Sequence, residues 1–249
     1  MSKFADAPML YADFLAAEKF TVDVVGSAIS GGRDINGQSV STELSGGGAL
    51  VATFERCNCF EPEQQEYINM LAARLNGSHR YINVPVMSDF MGPFGGQSPM
   101  IGGIPHSDGA LFSDGSGYSQ GRVFGQIVED AALNAGKLVM DVFGAARNLR
   151  WSDWFSIFHP VKGWRAYRYW ERTDPEDVTA TISGYEYTGK RYTLALSPPL
   201  REATPAGKRV EFARPRFVAK FPTDFTLPYS VEGTYRSVAD LRFEEAMGG

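Results

Sequence analysis

Between Arg191 and Phe221 the chain reads RYTLALSPPLREATPAGKRVEFARPRFVAKF, and no other segment restricts the fold as much. Tyr192, Leu194 and Leu196 alternate with Thr193 and Ala195, the period-2 pattern of a half-buried strand. Ser197-Pro198-Pro199 stops that strand, because a proline has no N–H to give to a ladder. Pro205-Ala206-Gly207 is a turn, with one residue that presets φ and one that accepts positive φ. Val210 and Phe212 resume the alternation until Pro215 bends or ends it. Two strands joined by proline-stiffened turns point to a β-rich protein. The 27 glycines and 14 prolines among 249 residues agree, since they require many turns and short elements.

The rest of the chain extends this reading. TVDVVGSAIS, DINGQSVSTELSGG and ALVATFERCNCF read as two or three strands, with Asn36-Gly37 as a hairpin dipeptide. One helix is expected over about 62–76. Pro62 suits the first helical position, Ile68, Leu71, Ala72 and Leu75 form an apolar stripe, and Gly77 suits the C-terminal end. RYINVPVM returns as a strand that Pro85 marks as bent or at an edge. The region 88–125 holds ten of the glycines and the near repeat HSDG and FSDG, and reads as a long loop that packs against another subunit. Residues 123–143 read as two strands about the turn Asn134-Ala135-Gly136, with a short helix at ALNAGKL as the alternative. FSIFHP and WRAYRYW flank Lys162-Gly163 as an aromatic hairpin, and all four tryptophans, 151, 154, 164 and 170, fall within or just before it. Residues 1–20 are apolar for a terminus and are expected to form a short helix or an arm.

Several classes of function are disfavoured. The net charge of −5 and the lack of any Lys/Arg run argue against binding nucleic acid through a basic patch. No apolar run is long enough for a transmembrane helix. The start MSKFADAPMLYADFLAAEKF does not have the basic head and uninterrupted apolar core of a signal peptide, so assembly in a cytoplasm is expected. Cys57 and Cys59 would share one face of a strand and are expected to be ordinary core or interface thiols. The Asp-Gly pairs of the glycine-rich loop do not follow the EF-hand spacing. No hydrolase, nucleotide-binding or zinc-protease motif is present. His159, Asp153 and Ser156 lie near one another in sequence, but on a strand they would point to different faces. No catalytic, metal or cofactor residues are therefore assigned.

Taken in order, GGRDINGQSVST, ALVATFERCNCFEPEQQEYINMLAARLNGSHRYINVPV, HSDGALFSDGSGYSQ, FSIFHPVKGWRAYRY, TLALSPPLREATPAGKRVEFARPRFVAKF and SVADLRFEEA resemble a family of minor tail and baseplate proteins of long-tailed bacteriophages, of the distal tail protein type. The resemblance covers most of the chain from about Ser30. It implies a mainly β fold with a β-sandwich or β-barrel-like ring-forming domain at 21–87 plus about 190–249. A smaller, inserted or C-terminal β domain would lie within 88–190, and 1–20 would be an arm. It also implies a structural, non-enzymatic role: a ring, usually hexameric, at the tail tip of the virion. Its expected partners are copies of itself, the tail tube protein, the baseplate hub, and the tape-measure and receptor-binding proteins, with DNA only as passing cargo. Arg201, Glu202, Trp151, Trp154 and Trp164 become candidates for subunit contacts. The competing readings are a carbohydrate-binding module using the tryptophans as a sugar platform and an envelope-degrading hydrolase.

Overall fold

The computed structural model describes residues 3–26, 28–43, 46–86, 123–182, 184–223, 225, 227, 229–232 and 235–248, together with Ala110 and Ser113. The Asp-Gly repeat and nearly all of the glycine-rich loop lie outside the described residues. Half of the chain is in strands and less than a tenth is helical. The strands are β1 (Ala17–Val25), β2 (Ala28–Arg33), β3 (Ser39–Glu43), β4 (Ala49–Cys59), β5 (Ile82–Pro85), β6 (Phe124–Ile127), β7 (Lys137–Phe143), β8 (Phe155–His159), β9 (Gly163–Arg172), β10 (Glu176–Ile182), β11 (Tyr185–Ser197), β12 (Arg209–Glu211), β13 (Arg216–Lys220), β14 (Tyr229–Glu232) and β15 (Tyr235–Glu245). The one α-helix described, α1, spans Pro62–Leu75.

A curled antiparallel sheet has the order β1-β4-β15-β13-β5, with β14 paired to β15. Its inner face is made by alternation: Leu50, Ala52 and Phe54 of β4 lie beside Leu241 and Phe243 of β15, and all are buried. Strict alternation past Phe54 would carry Arg56 and Asn58 inward. Arg56 instead takes φ 50°, and the phase shifts so that Cys57 and Cys59 are buried in that core, as free thiols. The apolar stripe of α1 (Ile68, Leu71, Leu75) completes this core. Gln64 Oε1 accepts from the N–H groups of Phe60 and Glu61 at the start of α1, and Asn76 closes the helix in the left-handed conformation, φ 45°. β5 is the sheet's edge beside Pro85, as expected; its outer side bonds to the N-terminal segment through Leu10 N to Asn83 O and Asn83 N to Pro8 O. The N-terminal residues therefore dock on their own chain, with Phe4, Leu10 and Leu15 buried, and are not a free arm. They contain only a single 3-10 turn, Ala12–Leu15, before β1 begins.

The second sheet closes on itself. β11 pairs β7, and the path continues through β6, β12, β8 and β9 back to β11, giving a six-stranded antiparallel barrel with β10 as a hairpin extension on β11. Tyr192, Leu194 and Leu196 face its interior with Met140, Val142, Phe155, Ile157, Tyr167 and Val210. The alternation read from 192–196 is thus a barrel strand. This moves a boundary: residues from 190 to 212, grouped by sequence with the ring-forming domain, close the barrel, because β11 is one uninterrupted 13-residue strand. The stretch 131–136 is a turn between β6 and β7, with Asn134 at φ 62°, and not a helix. The barrel is inserted between two paired strands of the first sheet, β5 and β13, and Val86 N donates to Pro215 O at 2.7 Å where the chain leaves and returns.

β2 and β3 form a hairpin bonded to neither sheet. Its turn is held by Asp34, whose carboxylate accepts from Asn36 N and Gln38 N, and Gly37 takes φ 79°. The expected Asn-Gly turn is present, but only its glycine adopts positive φ.

Candidate functional site

Two places in the molecule concentrate features that bear on function. One is the junction of barrel and sheet, and the other is the exposed apolar surface.

At the junction, Glu245 near the end of β15 is buried between two buried arginines. Its Oε1 accepts from Arg165 Nη1 at 3.0 Å and Arg201 Nε at 3.2 Å; its Oε2 accepts from Arg201 Nη2 at 2.8 Å and from Leu50 N at 3.0 Å. Arg165 also donates to the carbonyls of Lys162 and Ala246, and Arg201 to those of Gly46 and Gly48. A buried charge costs several kcal/mol unless it is paired and fully hydrogen-bonded, and here the requirement is met. Burial nevertheless pushes the Arg165 guanidinium below its ordinary pKa. Tyr167 Oη accepts from Arg201 N at 3.0 Å and shares a hydrogen bond with His159 Nε2 at 2.8 Å. Burial, with Arg165 and Lys208 nearby, lowers the His159 pKa to about 3, and burial raises that of Tyr167. The arrangement is structural chemistry: it ties the barrel (Arg165, Tyr167, Arg201) to the sheet (Glu245, Leu50) and to the loop 46–48.

The residues singled out from sequence mostly turn inward. Arg201 is buried in this cluster and is not placed to contact another subunit. Glu202 accepts from Lys162 N at 2.9 Å and Val161 N at 3.2 Å, fixing the β8–β9 turn. Trp164 is half-buried under Arg216, 4.0 Å from ring to guanidinium, and Trp154 is half-buried beside Arg168 at 5.6 Å. Arg168 in turn pairs with Asp23 of β1 at 2.7 Å. Only Trp151 projects, 64% exposed, with Trp170 at 65%. The sequence neighbours His159, Asp153 and Ser156 do not form a triad. Asp153 is occupied by both terminal nitrogens of Arg147, at 2.7 Å each, and His159 by Tyr167. Among the described residues no cluster of His, Cys, Asp and Glu could hold a metal ion, and no helix is long and apolar enough to cross a membrane.

The exposed apolar surface was not singled out residue by residue in the sequence. The hairpin β2–β3 is open on both faces, with Ile29, Ile35 and Val40 in solvent and Val25 at its root. β1 is an edge strand of the curled sheet, with no strand on its outer side among the described residues. Around α1, Tyr11, Phe14 and Met70 are exposed, and Tyr67 contacts the first two rings at 6.2 and 5.5 Å. A scan against family models and a search of curated proteins both return no match for this chain.

Proposed function

We propose that the chain is a structural subunit of a ring at a bacteriophage tail tip, joining the tail tube to the hub and receptor-binding parts. The observation that carries this reading is the hairpin β2–β3. A two-stranded hairpin is marginal in water on its own, and this one leaves Ile29 and Val40 in solvent on one face and Ile35 exposed at its turn. Such an element gains its order from a neighbour. The open edge of β1 beside it offers unpaired backbone groups to the same neighbour. The order of sequence segments resembling distal tail proteins supplies the identity of the assembly. Native mass spectrometry of the purified full chain, followed by electron microscopy of the same sample, tests it. A closed symmetric oligomer with a central channel is expected, and a chain that stays monomeric at every concentration would sink the idea.

A glycan-binding role has one specific observation in its favour. Trp170 and Arg172 lie two residues apart on β9 and so share a face, and Arg172 stands 5.9 Å from the ring of exposed Trp151. A flat aromatic surface of this kind suits a sugar ring. Glycan-array binding abolished by W151A/W170A supports that reading, and binding retained by the double variant removes it.

A further inference from the structure

We propose that the cleft between residues 3–8 and the C-terminal end of α1, with the aromatic patch beside it, docks an acidic protein segment carrying apolar anchors. The cleft has a volume of about 530 Å³ and is lined by Lys3, Asp6, Arg74, His79, Arg80 and Tyr81, among others. That volume falls within the ~300–1,000 Å³ range of ligand pockets. In a chain of net charge −5, its charged lining is three permanent cations, an imidazole and a single carboxylate. None of Lys3, Arg74, His79 and Arg80 forms an ion pair with a carboxylate of the described residues. Nine other cations do, among them Lys19, Arg147, Arg165 and Arg201, while others such as Lys137, Arg209 and Lys220 likewise have no such pair; what sets the cleft apart is that its cations line one concave site.

The cations are also held in place. Lys3 Nζ stands 5.3 Å from the centres of both the Phe4 and Tyr81 rings. Arg80 Nη1 donates to the carbonyl of Arg74 at 3.1 Å, which offsets the negative end of the helix that would otherwise repel an anion. Arg74 lies two helical turns beyond Tyr67 on α1 and so shares its face, which places the cleft and the Tyr11–Phe14–Tyr67 cluster on the same side of the helix. Met70, one helical turn from both Tyr67 and Arg74, extends the apolar strip. Tyr67 Oη accepts from Tyr11 N at 2.9 Å, so the aromatic patch is fixed before any partner arrives.

Cations bordering exposed aromatics match the recognition of acidic motifs by arginine clusters. A long nucleic acid fits less well. Its affinity grows with the number of phosphates neutralised, and here a few cations sit on an acidic protein with Asp6 among them. The occupant is therefore a protein segment in which Asp or Glu alternates with aromatic or aliphatic residues. The inference stands apart from the tail-ring proposal, because it rests on residues other than the hairpin and β1.

The test uses the full chain and a library of random dodecapeptides, with selected peptides measured by fluorescence anisotropy. Selection is expected to enrich Asp and Glu with interspersed Leu, Phe or Trp. Binding is expected to weaken as salt rises and to fall at least about tenfold in K3E/R74E. The variant K3R/R74K, which keeps the charges, retains affinity, and Y11A/F14A weakens it without changing the acidic preference. Circular dichroism of each variant shows whether the fold is kept. A library without acidic enrichment, or peptides that bind folded K3E/R74E as well as wild type, would overturn the proposal. So would oligothymidine that displaces the selected peptides at lower concentration than they bind.

Discussion

Glu245 accepts four hydrogen bonds from three residues. Converting it to glutamine would leave Arg165 and Arg201 facing each other in a buried space without a counter-charge. Breaking a buried pair in this way costs about 3–5 kcal/mol, so E245Q is expected to lower the urea midpoint by a large fraction of the total stability. An unchanged midpoint would mean that water reaches the cluster. His159 gives a second test at this scale. Burial first, then Arg165 and Lys208, lower its pKa to about 3 from 6.5. Below 6.5 the unfolded chain takes up a proton that the folded chain refuses until about 3. Unfolding therefore binds protons over that window, and stability is full above 6.5 and falls as the pH drops. H159N is expected to flatten the dependence of the urea midpoint between pH 6.5 and 4. Equal slopes for the two proteins would rule out His159 as the source. Cys57, pushed up to about 12 by burial and by Cys59 and Asp240, is expected to stay silent towards a thiol reagent at pH 8 until the chain unfolds.

Among the elements, those with strong periodicity were legible in the sequence. The helix at 62–76 was found within one residue because its cap, stripe and stop all agree. The alternation at 192–196 correctly gave a strand, but alternation reports only that one face is buried, not in which sheet. The barrel boundary was missed for that reason. Asn36-Gly37 signals the hairpin β2–β3, but not that it stands apart from both sheets, because a turn dipeptide reads the same whether or not anything covers the flanking residues. Replacing residues 28–43 with a short Gly-Ser linker is expected to leave the thermal midpoint of the dilute chain unchanged and to abolish self-association in native mass spectrometry. A large fall in the midpoint would instead mean that the hairpin belongs to the monomer's core. Gly163 is a contrasting case, since its turn lies against the N-terminal segment. At φ 69°, an added Cβ would meet Phe4 O at 2.8 Å and Val218 Cγ2 at 2.9 Å. G163A should cost on the order of 1–3 kcal/mol, read as a lowered urea midpoint.

Across the whole molecule, the candidate contacts were the least legible part of the sequence. Arg201 and Glu202 look like surface residues because they are charged and follow two prolines. Arg201 is buried against Glu245, 44 residues away, and half-buried Glu202 is held by backbone N–H groups 41 and 40 residues away. No local pattern encodes such partnerships. The hydrogen bond between Val86 and Pro215 has a wider consequence. Because the chain departs from the sheet and rejoins it at one point, the pairing of β5 with β13 does not depend on the length of what is threaded between. The barrel is in that sense a cassette whose ends enter and leave at one place, while its side chains still reach the strands that receive it. The charge cluster, the Gly163 turn against Phe4 and Val218, and the Arg168–Asp23 pair bind the two histories together, and removing the barrel would strand Glu245 beneath the sheet. A lineage that swapped or lost this cassette would have to change position 245 at the same time.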